Sequence, residues 1–246
     1  MSDVFGIQAV RSALRGSADR ARCLYLQKGR RDARINELIG LAREHGVRFQ
    51  TVESTWFRRR LSEGETHQGV LLEVLEISLA AEETLFETIP TWHGPITILV
   101  LDGITDPRNL GACLRTANGA GVQALVLPKR NSAPLNAAAL KTAQGGMDGI
   151  MVVEVTNLAR CLKKLAAEGF WLIGTDGEAD VLHSDADFAQ NAVIIMGSED
   201  KGMRRLTREV CDQLVKIPMF GSVESLNVSV ATGVILYERQ RQLARN

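Results

Sequence analysis

Six short segments between residues 96 and 217 are apolar almost throughout instead of at alternate positions: Ile96 to Leu101, Ala124 to Leu127, Ile150 to Val155, Trp171 to Ile173, Val193 to Met196 and Leu214 to Ile217. An alternating strand can keep one face wet, but a continuously apolar one has to be covered on both faces, which calls for a parallel sheet with helices on either side. The intervening segments have helical character. They run over Leu110 to Ala117, Leu135 to Ala143, Leu158 to Ala167 and Leu206 to Cys211, with a final helix in Val228 to Leu243. Asn157 and Gly169 have the residue types that cap the start and the end of the third of these. The expected fold class is α/β, with six parallel strands in an open, doubly wound sheet.

The first part of the chain reads differently. A helical Val4 to Leu14, an extended Cys23 to Leu26, a helix Ile35 to Arg43, an extended Val47 to Val52, a helical Trp56 to Leu61 and a strand Gly69 to Ile77 make a small α/β module. Net charge over the 246 residues is zero, yet residues 1–75 hold 13 basic and 9 acidic side chains, while 76–94 hold Glu76, Glu82, Glu83 and Glu87 and no base. The acidic stretch ends in Pro90-Thr-Trp-His-Gly-Pro95, punctuation that suits a boundary. The expected division is therefore 1–76, a linker 77–94, and 95–246. Lys28, Arg30, Arg31 and Arg34, with Arg58, Arg59 and Arg60, are candidates for contact with phosphates; an ordinary charged surface is an equal alternative.

Several chemistries are excluded. No apolar run approaches the ~20 residues needed to span a bilayer, and the N-terminus shows no secretory pattern, so the expected location is cytoplasmic. Cys23, Cys113, Cys161 and Cys211 are far apart with no C-x-x-C pair, and His45, His67, His93 and His183 show no ligand spacing, so no metal site is expected. Neither G-x-G-x-x-G after a strand, nor a P-loop, nor a G-x-S-x-G elbow occurs.

In a parallel sheet ligands bind beyond the carboxyl ends of the strands, and three loops there are unusual. After the first strand comes Asp102-Gly-Ile-Thr-Asp-Pro-Arg-Asn109-Leu-Gly111-Ala-Cys-Leu-Arg115-Thr; after the fifth, Gly197-Ser-Glu199-Asp-Lys-Gly202-Met; after the sixth, Pro218-Met-Phe-Gly221-Ser-Val-Glu-Ser225-Leu226-Asn227-Val-Ser. In order and wording they resemble the three motifs of the SpoU (TrmH) family of RNA ribose 2′-O-methyltransferases in the SPOUT superfamily. Gly6-Ile-Gln-Ala-Val10 and His67-Gln-Gly69 look like the small L30e-like RNA-binding domain that precedes the catalytic domain in members acting on large-subunit rRNA.

The resemblance implies a C-terminal SPOUT domain with a deep trefoil knot, a homodimer, and S-adenosylmethionine as methyl donor for a guanosine ribose in 23S rRNA. It assigns cofactor contacts to Gly197, Ile217 and Leu226, and catalytic roles to Asn109, Arg115, Glu199, Ser225 and Asn227. Arg115 is the family's choice for the hydroxyl proton, but a guanidinium is a poor proton acceptor at neutral pH. A grip on the hydroxyl or the neighbouring phosphate is its first role. Asn109 would orient Arg115 and the ribose, and Glu199 would hold loop geometry by accepting from backbone N–H groups. Asp102, Asp106 and Pro107 read as turn and N-cap residues, and Asp176 and Glu178 as part of the rim. Two alternatives stay open at this point: a tRNA ribose methyltransferase, and a non-catalytic RNA-binding assembly factor. Donor binding separates the second; methyl transfer to each RNA separates the first.

Overall fold

The computed structural model describes residues 2–16, 18–30, 32–61, 65–74, 79–143, 146–147, 149–188 and 190–245. It divides into two compact units, Met1–Ser78 and Leu79–Asn246.

The first unit comprises β1 (Ser2–Phe5), α1 (Ile7–Gly16), β2 (Ala21–Gln27), α2 (Ala33–Glu44), β3 (Arg48–Val52), α3 (Ser54–Arg60) and β4 (Val70–Val74). Its sheet runs β1-β4-β2-β3, with β4 antiparallel to both neighbours and β2 parallel to β3. Val4 and Phe5, expected in a helix, pair instead with Leu72 and Leu71. Gly6, at φ +86, turns the chain from strand to helix, a conformation glycine adopts without strain. Ile7, Val10 and Leu14 then share one face of α1 and are buried among Leu24, Leu72, Ile35 and Leu38. Of the expected strand Gly69 to Ile77, residues 75–77 lie outside the described residues.

The second unit contains α4 (Glu82–Thr88), β5 (Thr97–Asp102), α5 (Pro107–Gly119), β6 (Ala124–Pro128), α6 (Ala137–Ala143), β7 (Met151–Val155), α7 (Leu158–Ala167), β8 (Trp171–Thr175), β9 (Val181–Leu182), β10 (Ala192–Gly197), α8 (Arg205–Arg208), β11 (Gln213–Lys216) and α9 (Val228–Leu243). All six expected strands form, and every pairing in the sheet β7-β6-β5-β10-β8-β11-β9 is parallel. Its two-sided burial is explicit along β5: Leu99 and Leu101 pack among side chains of α5, α6 and α9, whereas Ile98 and Val100 pack among those of α4 and α7. The seventh strand, β9, has two residues and no apolar run to announce it.

Of the expected linker 77–94, residues 77 and 78 lie outside the described residues, and the rest belongs to the second unit. Ala80 bridges Val153, with N–H···O bonds of 2.8 and 3.0 Å to Val152 and from Glu154, and Leu85 and Ile89 of the following turns are core residues. The acidity that suggested a solvated connector has a local partner. Glu82, 6% exposed, accepts from Lys164 Nζ at 2.7 Å and has Arg160 Nη2 at 3.6 Å, both on α7.

Arg239 of α9 is fully buried. Its Nε donates to Thr97 Oγ1 at 2.7 Å, Nη2 to Ile96 O at 2.9 Å, and Nη1 to Gln190 O at 2.8 Å and to Phe188 O. Burial lowers its pKa to about 10, with Asp187 opposing; the group is charged at neutral pH and pins the last helix under the amino ends of β5 and β10. Arg239→Ala leaves carbonyls and a hydroxyl unsatisfied around a cavity, so its unfolding free energy should fall by about 3–5 kcal/mol in urea titrations. An unchanged midpoint would show that Arg239 is not an anchor.

Candidate active site

Loops leaving β5, β10 and β11 meet beyond the carboxyl ends of these strands. The β5 loop is set by two aspartates. Asp102 is buried and accepts from Arg204 N at 2.9 Å, with Arg204 Nε 3.0 Å from its other oxygen, so the start of the first motif is tied to the end of the second. Asp106 N-caps α5, its Oδ1 accepting from Arg108 N at 2.8 Å, and Pro107 occupies the first turn where its missing N–H costs nothing. Two glycines allow α6 and its exit to press against α5. A Cβ on Gly111 would lie 2.2 Å from Ala139 O, and one on Gly146 would lie 2.6 Å from Arg115 Cα.

The β10 loop is equally tight. A Cβ on Gly197 would stand 2.3 Å from Met203 N, and Ser198 and Gly202 exchange N–H···O bonds of 3.0 and 2.9 Å. This folds Glu199 toward α9. There Glu199 Oε1 accepts from Asn227 Nδ2 at 2.6 Å, Val228 N at 3.0 Å and Asn109 Nδ2 at 3.2 Å, and Oε2 lies 3.3 Å from the same Asn109 nitrogen. Asn109 Oδ1 in turn accepts from Asn227 Nδ2 at 3.0 Å, and Asn227 Oδ1 N-caps α9 through Ser229 N at 3.0 Å. One carboxylate therefore joins all three motifs.

Beside this network lies a cavity of about 680 Å³, within the range usual for small-molecule sites. Gly197, Ile217 and Leu226, expected as cofactor contacts, line it together, and so do Glu199 and Ser225. Asn109 and Asn227 reach the wall through Glu199. Arg115 is exposed on α5 and is not part of the wall; six residues separate it from Asn109, about 600° of helical rotation, which places them on different faces. Met196, Met219 and Ile217 supply apolar wall, and carboxylates outnumber cations along the polar side. Asp176 and Glu178 form part of that side, as expected of the rim. Asp176 is also paired with Arg208, whose Nε lies 2.7 Å from its Oδ2. Sequence reasoning missed Arg204 and Arg208, because arginines spaced along 204–208 read as an ordinary solvated helix face.

Three of the thiols are held protonated at neutral pH. Burial raises Cys113 to about 11 and Cys161 and Cys211 to about 12. Among the described residues no group of three His, Cys, Asp or Glu could hold a metal ion. In the first unit His67 is structural, stacked on Phe57 at 4.5 Å with Nδ1 accepting from Gly69 N. Several of its candidate phosphate-binding cations are engaged: Arg60 with Asp3 and Glu73, Lys28 with Glu53, Arg30 with Asp32. Arg34, Arg58 and Arg59 are exposed, and Arg31 lies outside the described residues.

Residues 96–237 match the SpoU rRNA Methylase family, and residues 4–78 match the family of RNA 2′-O ribose methyltransferase substrate-binding domains. The chain belongs to the SpoU rRNA methylase family. Among SpoU relatives it is 49% identical over 241 residues to the 23S rRNA (guanosine-2′-O-)-methyltransferase RlmB of Pseudomonas aeruginosa, covering 97% of this chain and 96% of that protein. It is 44% identical to the RlmB of Escherichia coli, covering 97% and 98%. The fold is also that of the SpoU methyltransferase AviRb from Streptomyces viridochromogenes in complex with AdoMet, with TM-score 0.66, 23% identity, and 99% and 91% of the two chains covered.

If Glu199 holds the SpoU motifs together as described, Glu199→Ala deprives Val228 N of its acceptor. Amide exchange at Val228 should quicken by roughly tenfold or more while Ile235 in mid-helix is unchanged. Equal protection of Val228 in both proteins would remove Glu199 from that role.

Proposed function

We propose that this chain is an S-adenosylmethionine-dependent methyltransferase that modifies the ribose 2′-hydroxyl of a guanosine in 23S rRNA during ribosome maturation. The observation that carries it is the joining of all three SpoU motifs by Glu199 at a cavity of cofactor size, in a chain related over nearly its whole length to RlmB proteins. The cavity suits the donor. Gly197 lets main chain approach an adenosine, Ile217, Met219 and Leu226 offer apolar surface to its ring, and the excess of carboxylates favours a cation.

The bound donor supplies an already activated methyl group on a sulfonium, so the protein's task is alignment of the hydroxyl and care of its proton. Alignment alone can be worth ~7–11 kcal/mol. Asn109, Glu199 and Asn227 fix the loops that define where the ribose rests, and Ser225 offers a hydroxyl at the cavity wall. Arg115 grips the hydroxyl or the adjacent phosphate with its guanidinium fork. It reaches the cavity from a second copy of the chain in a homodimer. That reading is supported by Val230 and Tyr237, two turns apart on α9 and 53% and 56% exposed, an apolar stripe beside α5 that a second copy would cover. The segment 217–227, which carries the chain from β11, one strand in from the sheet edge, to α9 packed on α5, is where we place the threading of a trefoil knot.

The first unit is assigned to RNA binding, and the protein to the cytoplasm; among the described residues no helix is long and apolar enough to cross a membrane. Because residues 79–94 belong to the second fold unit, the informative truncation removes 1–78. It should weaken 23S rRNA binding and flatten its salt dependence, with donor affinity retained; unchanged RNA affinity would contradict the assignment. With labelled donor, the full chain should methylate 23S rRNA and leave tRNA unlabelled, and Arg115→Ala should abolish transfer with little effect on donor binding. Label appearing in tRNA alone would overturn the target, and normal turnover by Arg115→Lys would overturn the bidentate grip.

A further inference from the structure

The polar side of the cavity contains a charged pair to which neither the motifs nor the catalytic network gives a task. Asp176 follows β8 and is fixed from three directions. Its N–H donates to Val215 O at 2.9 Å, its Oδ1 accepts from Glu178 N at 2.9 Å, and its Oδ2 lies 2.7 Å from Arg208 Nε. Arg208, on α8, is held through that single nitrogen. A pair this open, with side chains 20% and 50% exposed, adds little to stability. Its place in the wall of a ligand cavity is better explained by a ligand.

We propose that Arg208 and Asp176 are the subsite for the amino-acid end of the donor, the guanidinium taking its α-carboxylate and Asp176, with Glu178 beside it, its α-ammonium. The proposal rests on the donor reading above. A zwitterion requires one fixed cation and one fixed anion a few ångströms apart, and the pair presents both before any ligand arrives, so little ordering is needed on binding. The two Nη groups of Arg208 are the donors suited to a carboxylate fork. A ribose carries no charge to match a fixed ion pair, and a phosphate would be repelled by the two carboxylates. The assignment also divides the cavity: apolar Ile217, Met219 and Leu226 for the base, the charged pair for the amino acid.

Calorimetry with two ligands tests it. S-adenosylhomocysteine has the amino-acid end; 5′-methylthioadenosine keeps the adenosyl thioether and lacks it. The full-length wild type should bind the first more tightly than the second. Arg208→Gln and Asp176→Asn, the latter keeping the acceptor for Glu178 N, should each weaken S-adenosylhomocysteine by roughly ten- to hundredfold, with 5′-methylthioadenosine held within about twofold, and Arg208→Lys should restore part of the loss. Parallel weakening of both ligands would overturn the subsite, as would variants that bind S-adenosylhomocysteine normally or a wild type with equal affinity for the two. A wild type that binds neither would overturn the donor reading itself, and the subsite with it.

Discussion

The carboxylate of Glu199 is the joint on which the catalytic end depends. Three loops that leave different strands have no shared hydrogen-bonded ladder to hold them, and each is rich in residues that turn readily and pack little. A charged acceptor with three N–H donors from the first turn of α5 and the start of α9 supplies the missing connection, and charge-assisted bonds are roughly twice as strong as neutral ones. The same bonds satisfy the helix: Val228 N is an orphan donor of the first turn of α9, and Glu199 accepts from it while adding negative charge near the positive end of the helix dipole. Order in the active site and order in the C-terminal helix are thus one event.

Much of this was legible in the residues. Continuous apolar runs located all six principal strands because a parallel strand buried on both faces admits little else. The motif residues were legible by type, with Asn109, Glu199 and Asn227 brought into direct contact and Gly197, Ile217 and Leu226 onto one wall. What remained hidden is what pairing over long sequence separation creates. Nothing in Ala80 or Glu82 announces Val153 or Lys164, so an acidic stretch followed by prolines looked like a connector. Two residues at Val181 are too few to display a period. Val4 and Phe5 fit a helix as well as a strand until Leu71 and Leu72 are placed beside them.

Buried and half-buried arginines were the least legible class, since arginine at a surface and arginine in a core are the same letter. Arg239 stands in the polar run Glu238-Arg-Gln-Arg-Gln242, yet it is enclosed by carbonyls of Ile96, Phe188 and Gln190 and the hydroxyl of Thr97. Arg204 sits among other basic residues, yet it holds the buried carboxylate of Asp102 at the start of the first motif. At Arg239 the guanidinium replaces water for polar groups that the fold has enclosed, which makes removal costly although no apolar surface is at stake, whereas Arg204 meets Asp102 from the surface, its backbone N–H making the hydrogen bond and its guanidinium adding charge 3.0 Å away.

These anchors together explain how a cavity walled largely by loops can keep a defined shape. Helix α9 is held at its start by Asn227 and Glu199 and near its end by Arg239, about three turns away. The loop before it, carrying Ser225 and Leu226, cannot drift without breaking the Glu199 bonds, and the helix cannot slide without stripping Arg239 from its carbonyls. On the opposite wall, the β10 loop is closed by the Ser198 and Gly202 pair and tied to β5 through Asp102 and Arg204. Ligand contacts mounted between two such fixed walls need not be ordered on binding, and that entropy is what a site asked to align a hydroxyl with a methyl group must spare.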